Sequence, residues 1–313
     1  MERKDFLKSA FAASIVTAID FSNLKTVLAG TETVAQTDIK NNMVAVMGGE
    51  PVQMLDKMLA EYGGIGKFVK KGDVVVLKPN IGWAKTVEMG ANTNPLLVGA
   101  MVKYCLAAGA KEVRVFDNTC NEWKSSYKLS GIEDAVKANG GKMIPANDES
   151  YYSEVSLPDA VKMKNPKIHK ALQECDVWFN MPVLKNHGGA KMTISMKNYM
   201  GILWDRGFMH EHDLQQCIAD ICTYPKKPAL HIVDAYRVMK QNGPQGKSIE
   251  DVVISKGLFA SSDPVAVDTA AVKFFNQVKE MDINTVTHIK LGEKLHLGTS
   301  DLSKINIKRI KIG

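Results

Sequence analysis

The chain has no pair of cysteines at close spacing. Its five cysteines are Cys105, Cys120, Cys175, Cys217 and Cys222, and none stand two apart, so the usual spacings of a ferredoxin-type cluster and of a structural zinc site are both missing. The odd count leaves at least one thiol free or paired outside the chain. Cys217 and Cys222 fall in a helix-like segment and read as buried core thiols. Beyond residue 30 no apolar run reaches the roughly 18 residues that a membrane span requires, so no transmembrane segment is expected in the mature chain. A clustered basic stripe is missing too. The net charge of +6 is spread along 313 residues, which argues against nucleic acid as a partner and suits a small anionic molecule or an anionic surface. Gly63, Gly64 and Gly66 lack the Gly-Lys-Ser/Thr ending of a phosphate loop, and no strand leads directly into them. They read as a turn that ends a helix.

What is present is an ordinary globular composition, 45% hydrophobic and 24% charged, in a chain long enough for a sizeable core. Residues 1–30 carry Arg3 and Lys4, then Phe6, Leu7 and Lys8, then the small apolar run SAFAASIVTAI. This is the pattern of an export signal, and ERKDFLK is similar to a twin-arginine signal with Lys in place of the second Arg. An amphipathic N-terminal helix is the alternative. The expectation is therefore an exported, periplasmic protein with a signal at 1–30, a polar linker at 31–42 and an α/β domain at 43–313.

Strand and helix patterns alternate along that domain. Met43–Met47, the β-branched run Asp73–Leu77, Glu112–Phe116, Cys175–Asn180 and Ala229–Val233 read as strands. Pro51–Tyr62, the segment after Asn94-Pro95, and the segment opened by Ser262-Asp263-Pro264 read as helices. The fold class implied is α/β, a doubly wound, mostly parallel sheet with helices on both faces, in one domain or two lobes. Ile305–Ile312 reads as an edge strand carrying outward Lys and Arg.

In such sheets ligands bind where strands end at their carboxyl side. Strand runs close on Lys78 and Asn80, on Asp117, and on Asp234. The stretch 176–201, DVWFNMPVLKNHGGAKMTISMKNYMG, is the densest in chemistry. Pro182 is expected to stop its strand, and Lys185, His187, Lys191, Thr193, Ser195, Lys197 and Asn198 follow with paired glycines between them. A helix starting near Thr193 or Ser195 would add its N-terminal amides to an anion site. The reading places His187, Lys185 and Asp234 as the catalytic residues, with proton transfer at His187, anion holding at Lys185 and orientation or cation binding at Asp234; a lysine kept beside other cations could also act as a base or form an imine. Lys78, Asn80, Asp117, Lys191, Thr193, Ser195, Lys197 and Asn198 are read as ligand-binding. His210 and His212 would share one face of a strand or loop and are metal candidates with His187, whereas in a helix they diverge. The cofactor and any protein partner are left unknown.

Together LKPNIGW, MPVLKNHGGAKMTISMKNYMG, VDAYRV followed by GPQG, and SSDPVAVDTAA resemble the domain of unknown function 362 family, over most of residues 43–280. Some members of that family carry ferredoxin-like cysteine modules, which this chain lacks. The Lys-x-His of Lys185 and His187, with Gly and Lys downstream, is similar to the cofactor region of nickel-pincer lactate racemase-like proteins. The resemblance implies no settled activity. An exported enzyme acting on a small carboxylate or phosphate, a non-catalytic periplasmic binding or redox-assembly protein, and a metal-dependent isomerase or racemase-like protein are the three functions it leaves open.

Overall fold

A computed structural model describes residues 42–313. The expected export signal and nearly all of the expected linker lie outside these residues.

Twelve strands are found among the described residues: β1 (Asn42–Met47), β2 (Val74–Pro79), β3 (Glu112–Val115), β4 (Lys142–Met143), β5 (Tyr152–Glu154), β6 (Lys167–His169), β7 (Val177–Met181), β8 (Val183–His187), β9 (Lys191–Thr193), β10 (Leu230–Met239), β11 (Val252–Ser261) and β12 (Asn306–Lys311). Ten of them form one sheet, in the order β12-β1-β11-β10-β7-β2-β3-β4, with β8 pairing β10 and β9 pairing β8. The run β10-β7-β2-β3-β4 is parallel throughout, and antiparallel pairing enters through β11 and the β8–β9 hairpin. Strands β5 and β6 make a separate antiparallel pair.

The continuous β-branched runs have the reason expected of them. On β2, Val75 and Leu77 pack into one apolar cluster and Val76 into the other, and on β1 Val44 and Val46 alternate in the same way with Met43, Ala45 and Met47. A strand with period-two alternation and apolar residues at every position must be covered on both faces. Helices Pro51–Glu61, Pro95–Ala107 and Ile132–Ala138 cover one face; helices Leu214–Ile221 and Pro264–Phe275 cover the other.

Two local differences from the sequence reading matter for the site. Pro182 does interrupt a strand, but the chain resumes pairing at once as β8. Strand β10 exchanges partners there, from β7 at Leu230 and His231 to β8 at Asp234 and Met239, and the carbonyl of Pro182 accepts from Asp234 N at 2.8 Å. Pro lacks only the donor, so a one-residue break suffices. Consequently Lys185 and His187 stand on a strand, with Gly188 and Gly189 in the turn of a hairpin in which Lys185 faces Thr193 across the ladder. Lys191, at φ 65, takes the left-handed conformation needed to leave that turn.

Candidate functional site

The cleft is built first from β2 and β3. Lys78 is fully buried on β2, and its Nζ lies 2.8 Å from Asp117 Oδ1, just beyond β3. That oxygen has no aligned hydrogen bond, whereas Oδ2 accepts from Ile81 N at 2.6 Å. Asn198 ties the pair to the rest of the site: its Oδ1 accepts from Lys78 Nζ at 3.0 Å and from Asn80 Nδ2 at 3.1 Å, while its Nδ2 donates to Asn180 Oδ1 at 2.8 Å. Asn180 in turn lies 3.0 Å from His231 Nδ1. A run of interlocked side-chain amides thus fixes the position of the buried ammonium, and each buried group is satisfied by the next. Gly201 is required by this crowding: a Cβ there would sit 1.7 Å from Asp117 Oδ1 and 2.5 Å from Lys78 Nζ.

The hairpin and the segment after it add two further lysines. Lys185 Nζ donates to Asn80 Oδ1 at 3.2 Å and to the carbonyl of Ala91. Lys197, on the short helix Ser195–Asn198, is 8% exposed, and its Nζ meets only the sulfur of Met200, at 2.8 Å. Thr193 Oγ1 is buried with no hydrogen-bond partner. Arg206 completes the wall by donating to the carbonyls of Asn118 and Thr119 at 2.9 and 2.6 Å, with Cys120 Sγ 3.1 Å away.

Lys78, Asn80, Asp117, Lys185, Thr193, Lys197, Asn198, Arg206 and Cys120 line one cavity of about 50 Å³, together with His187, Trp83, Met200, Gly201 and Pro244. One water needs about 10–15 Å³ by this measure, so the cleft has room for a few waters or one small ligand. Lys78, Lys185, Lys197 and Arg206 face it against a single carboxylate, that of Asp117. Burial drives the lysines toward the neutral amine. It brings Lys185 down to about 7, helped by Lys197 and Lys78 and opposed by Cys120, and it brings Lys197 down to about 8. The Lys78 ammonium is likewise pushed down by burial but is held up by Asp117. His187 is lowered to about 3, first by burial and then by Lys197 and Lys185. Its Nδ1 accepts from Ala190 N at 3.1 Å, which leaves the ring proton on Nε2.

Of the residues picked out from sequence, the cavity brings together Lys78, Asn80, Asp117, Lys185, His187, Thr193, Lys197 and Asn198. Lys191 is exposed at the start of β9, just after the hairpin turn. Ser195 is buried, and the amides of Ser195 and Met196 donate to Asp268 at 2.8 and 3.0 Å, so the helix start expected to receive an anion already holds a carboxylate of the chain. Asp234 is not at a strand end: β10 runs on to Met239, and the carboxylate accepts from Asn94 N at 2.7 Å and Tyr236 N at 3.0 Å, anchoring the 91–94 loop against the sheet. His210 lies on the short helix Gly207–Glu211 and His212 just beyond its C-terminal end, where it stacks on Phe208 at 3.9 Å; both are exposed. Among the described residues no group of three or more His, Cys, Asp or Glu is placed to hold a metal ion. Nor is any helix there long and apolar enough to cross a membrane.

Arg206, Cys120 and Met200 were missed by sequence reasoning. Arg206 sits in a loop without periodicity. The one available signal for Cys120 was its place just after a strand end, beside Asp117.

The sequence profile of a family described as "Domain of unknown function (DUF362)" matches residues 75–273. The "Thylakoid-associated protein sll1697" of Synechocystis sp. is 24% identical over 256 residues, 80% of this chain and 76% of that one. Among solved structures, the lactate racemase apoprotein from Thermoanaerobacterium thermosaccharolyticum is similar with a TM-score of 0.41 and 12% identity, over 77% of this chain and 58% of that one. A protein from Thermotoga maritima is similar with a TM-score of 0.37 and 10% identity, over 79% and 60%. The chain thus spans less than two thirds of the length of either solved protein.

Proposed function

The chain belongs to the domain of unknown function 362 family, and on that premise we propose that its cleft is the active site of an enzyme acting on a small carboxylate- or phosphate-bearing substrate. The observation that carries this reading is the meeting of three buried lysines and Arg206 around a cavity with one opposing carboxylate. A folded chain gathers like charges away from water at a cost of kilocalories, and an anionic ligand offsets that cost.

Within the reading the parts divide as follows. Lys78 and Asp117 brace the floor, since each already neutralises the other. Lys185, Lys197 and Arg206 supply the charge that holds an anion. His187, held neutral, offers a hydrogen bond from Nε2 and is a poor base near pH 7; the amines with lowered pKa are better matched to proton abstraction there. Asp234 belongs to the scaffold in this reading. The signal-like residues 1–30 support export, which fractionation of cells producing the full chain tests.

Calorimetric titration with malonate and with inorganic phosphate tests the anion site. Saturable binding of at least one is expected, and Lys185→Met should weaken it about ten- to a hundredfold, the worth of one charge-assisted hydrogen bond. Absence of saturable binding for both would overturn the reading. A ligand that copurifies in native mass spectrometry and is released chemically unchanged under all conditions would make the protein a carrier instead.

A further inference from the structure

The three cleft lysines differ in what holds them. Lys78 Nζ has a carboxylate and an amide oxygen, and Lys185 Nζ has an amide oxygen and a backbone carbonyl. Such acceptors fix an ammonium and take two of its three protons, which leaves one for the cavity. Lys197 Nζ, nine-tenths buried, has a thioether alone, and a thioether is a weak acceptor that does little to retain a proton. A lysine that served only as a counter-ion would gain from an oxygen partner in its resting position. The unpartnered hydroxyl of Thr193 lines the same cavity, so a second buried polar group there is also left for a ligand.

We infer that Lys197 is an imine-forming amine and that the cleft takes a small 2-oxo acid, with its carboxylate against Lys185 and Arg206 and its carbonyl carbon at Lys197 Nζ. The inference rests on the anion-binding reading above and narrows it to a substrate class. A carbonyl is needed because a neutral amine in a dry site is a nucleophile toward one. A 2-oxo acid carries the carbonyl and the carboxylate on adjacent carbons, the most compact arrangement of the two groups for a cavity of about 50 Å³. In the step itself the Nζ lone pair forms the C–N bond while the carbonyl π pair moves to oxygen, giving a carbinolamine. The two amine protons then leave with that oxygen as water, and the C=N bond is formed. Lys185 can lend a proton to the departing oxygen and regain one from nitrogen, and Thr193 Oγ1 can hydrogen-bond that oxygen. Burial favours the neutral amine at the start, consistent with a Lys197 pKa lowered to about 8.

The test incubates the full chain with pyruvate and sodium cyanoborohydride, which reduces an imine to a stable secondary amine, and maps the adduct by peptide mass spectrometry. A single reduced pyruvate adduct on Lys197 is expected, suppressed by malonate and by prior denaturation, and missing from Lys197→Arg, which keeps the charge but cannot condense. No adduct, an adduct on Lys185 or on surface lysines instead, or labelling of Lys197 that malonate does not suppress would each overturn the assignment. Because the wild-type map decides the matter, a variant that fails to fold does not protect the proposal. Saturable malonate binding without trapping would refute the imine and leave the anion site standing, whereas loss of both would remove the two together.

Discussion

Two kinds of buried charge lie within this molecule, and they are held differently. Asp220, fully buried, accepts from the amides of Val161, Lys162 and Met163 at 2.9, 2.6 and 3.0 Å and from Gln216 Nε2 at 2.8 Å. Asp268 and Asp234 likewise end on backbone amides. In the cleft, by contrast, Lys197 has only a sulfur and Thr193 Oγ1 has nothing. Charge satisfied by the chain itself organises the fold, whereas charge that the chain leaves unsatisfied beside a cavity is available to a ligand. The comparison predicts that the first kind, when removed, costs stability, and the second kind costs binding.

The largest effect is expected at the one pair that belongs to both regions. Lys78→Met leaves Asp117 buried and unpaired, and chemical denaturation should show a loss of about 3–5 kcal/mol. Asp220→Ala comes next. Three backbone donors lose their acceptor, and at about 1–3 kcal/mol for a buried unsatisfied group, the loss should reach at least about 2 kcal/mol, accompanied by faster amide exchange over 161–163. If this variant were as stable as the wild type, the distinction between satisfied and unsatisfied charge would fail.

The dependence on pH is smaller and has a definite sign. In the unfolded chain the lysines keep their protons up to about 10.4, while Lys185 and Lys197 in the fold release them above about 7 and about 8. Between these values the unfolded state binds more protons, so these two groups make stability rise with pH across that window. Denaturation of the wild type and of Lys185→Met at about pH 7.5 and 9.5 should show a shallower rise in the variant. Over the same window anion affinity should fall, because the amines that hold the anion lose their charge. The smallest effect on stability is expected for Lys197→Met, which exchanges a poorly partnered buried amine for an apolar chain of similar shape. Its unfolding free energy should stay within about 0.5 kcal/mol of the wild type or rise.

Much of this could be read from the sequence for one physical reason: a strand covered on both faces shows itself as an unbroken apolar run, and its polar end then marks the crevice. Lys78, Asn80 and Asp117 were legible in that way. Lys185, His187, Thr193, Lys197 and Asn198 stood out because so many polar groups interrupt an apolar stretch. What could not be read were partners distant in the chain. Asp268 occupies the amides of Ser195 and Met196 from 73 and 72 residues away, so the helix start looked free when it is not. Asp234 was assigned to a strand end because the apolar run pauses there, yet β11 pairs with β10 on both sides of it and carries the strand further. Arg206 enters the cleft through bonds to the carbonyls of Asn118 and Thr119, and no local pattern encodes that contact.

The claim that the cleft lysines exist for an anion is tested most directly by measuring one variant in two ways. Lys197→Met and the wild type should be compared side by side, by denaturation and by titration with malonate and inorganic phosphate. The account predicts unchanged or higher stability together with an anion affinity lower by about tenfold or more, the cost of one charge-assisted contact. A variant that unfolds more readily but binds the anion as tightly as the wild type would contradict it, and would return Lys197 to the scaffold.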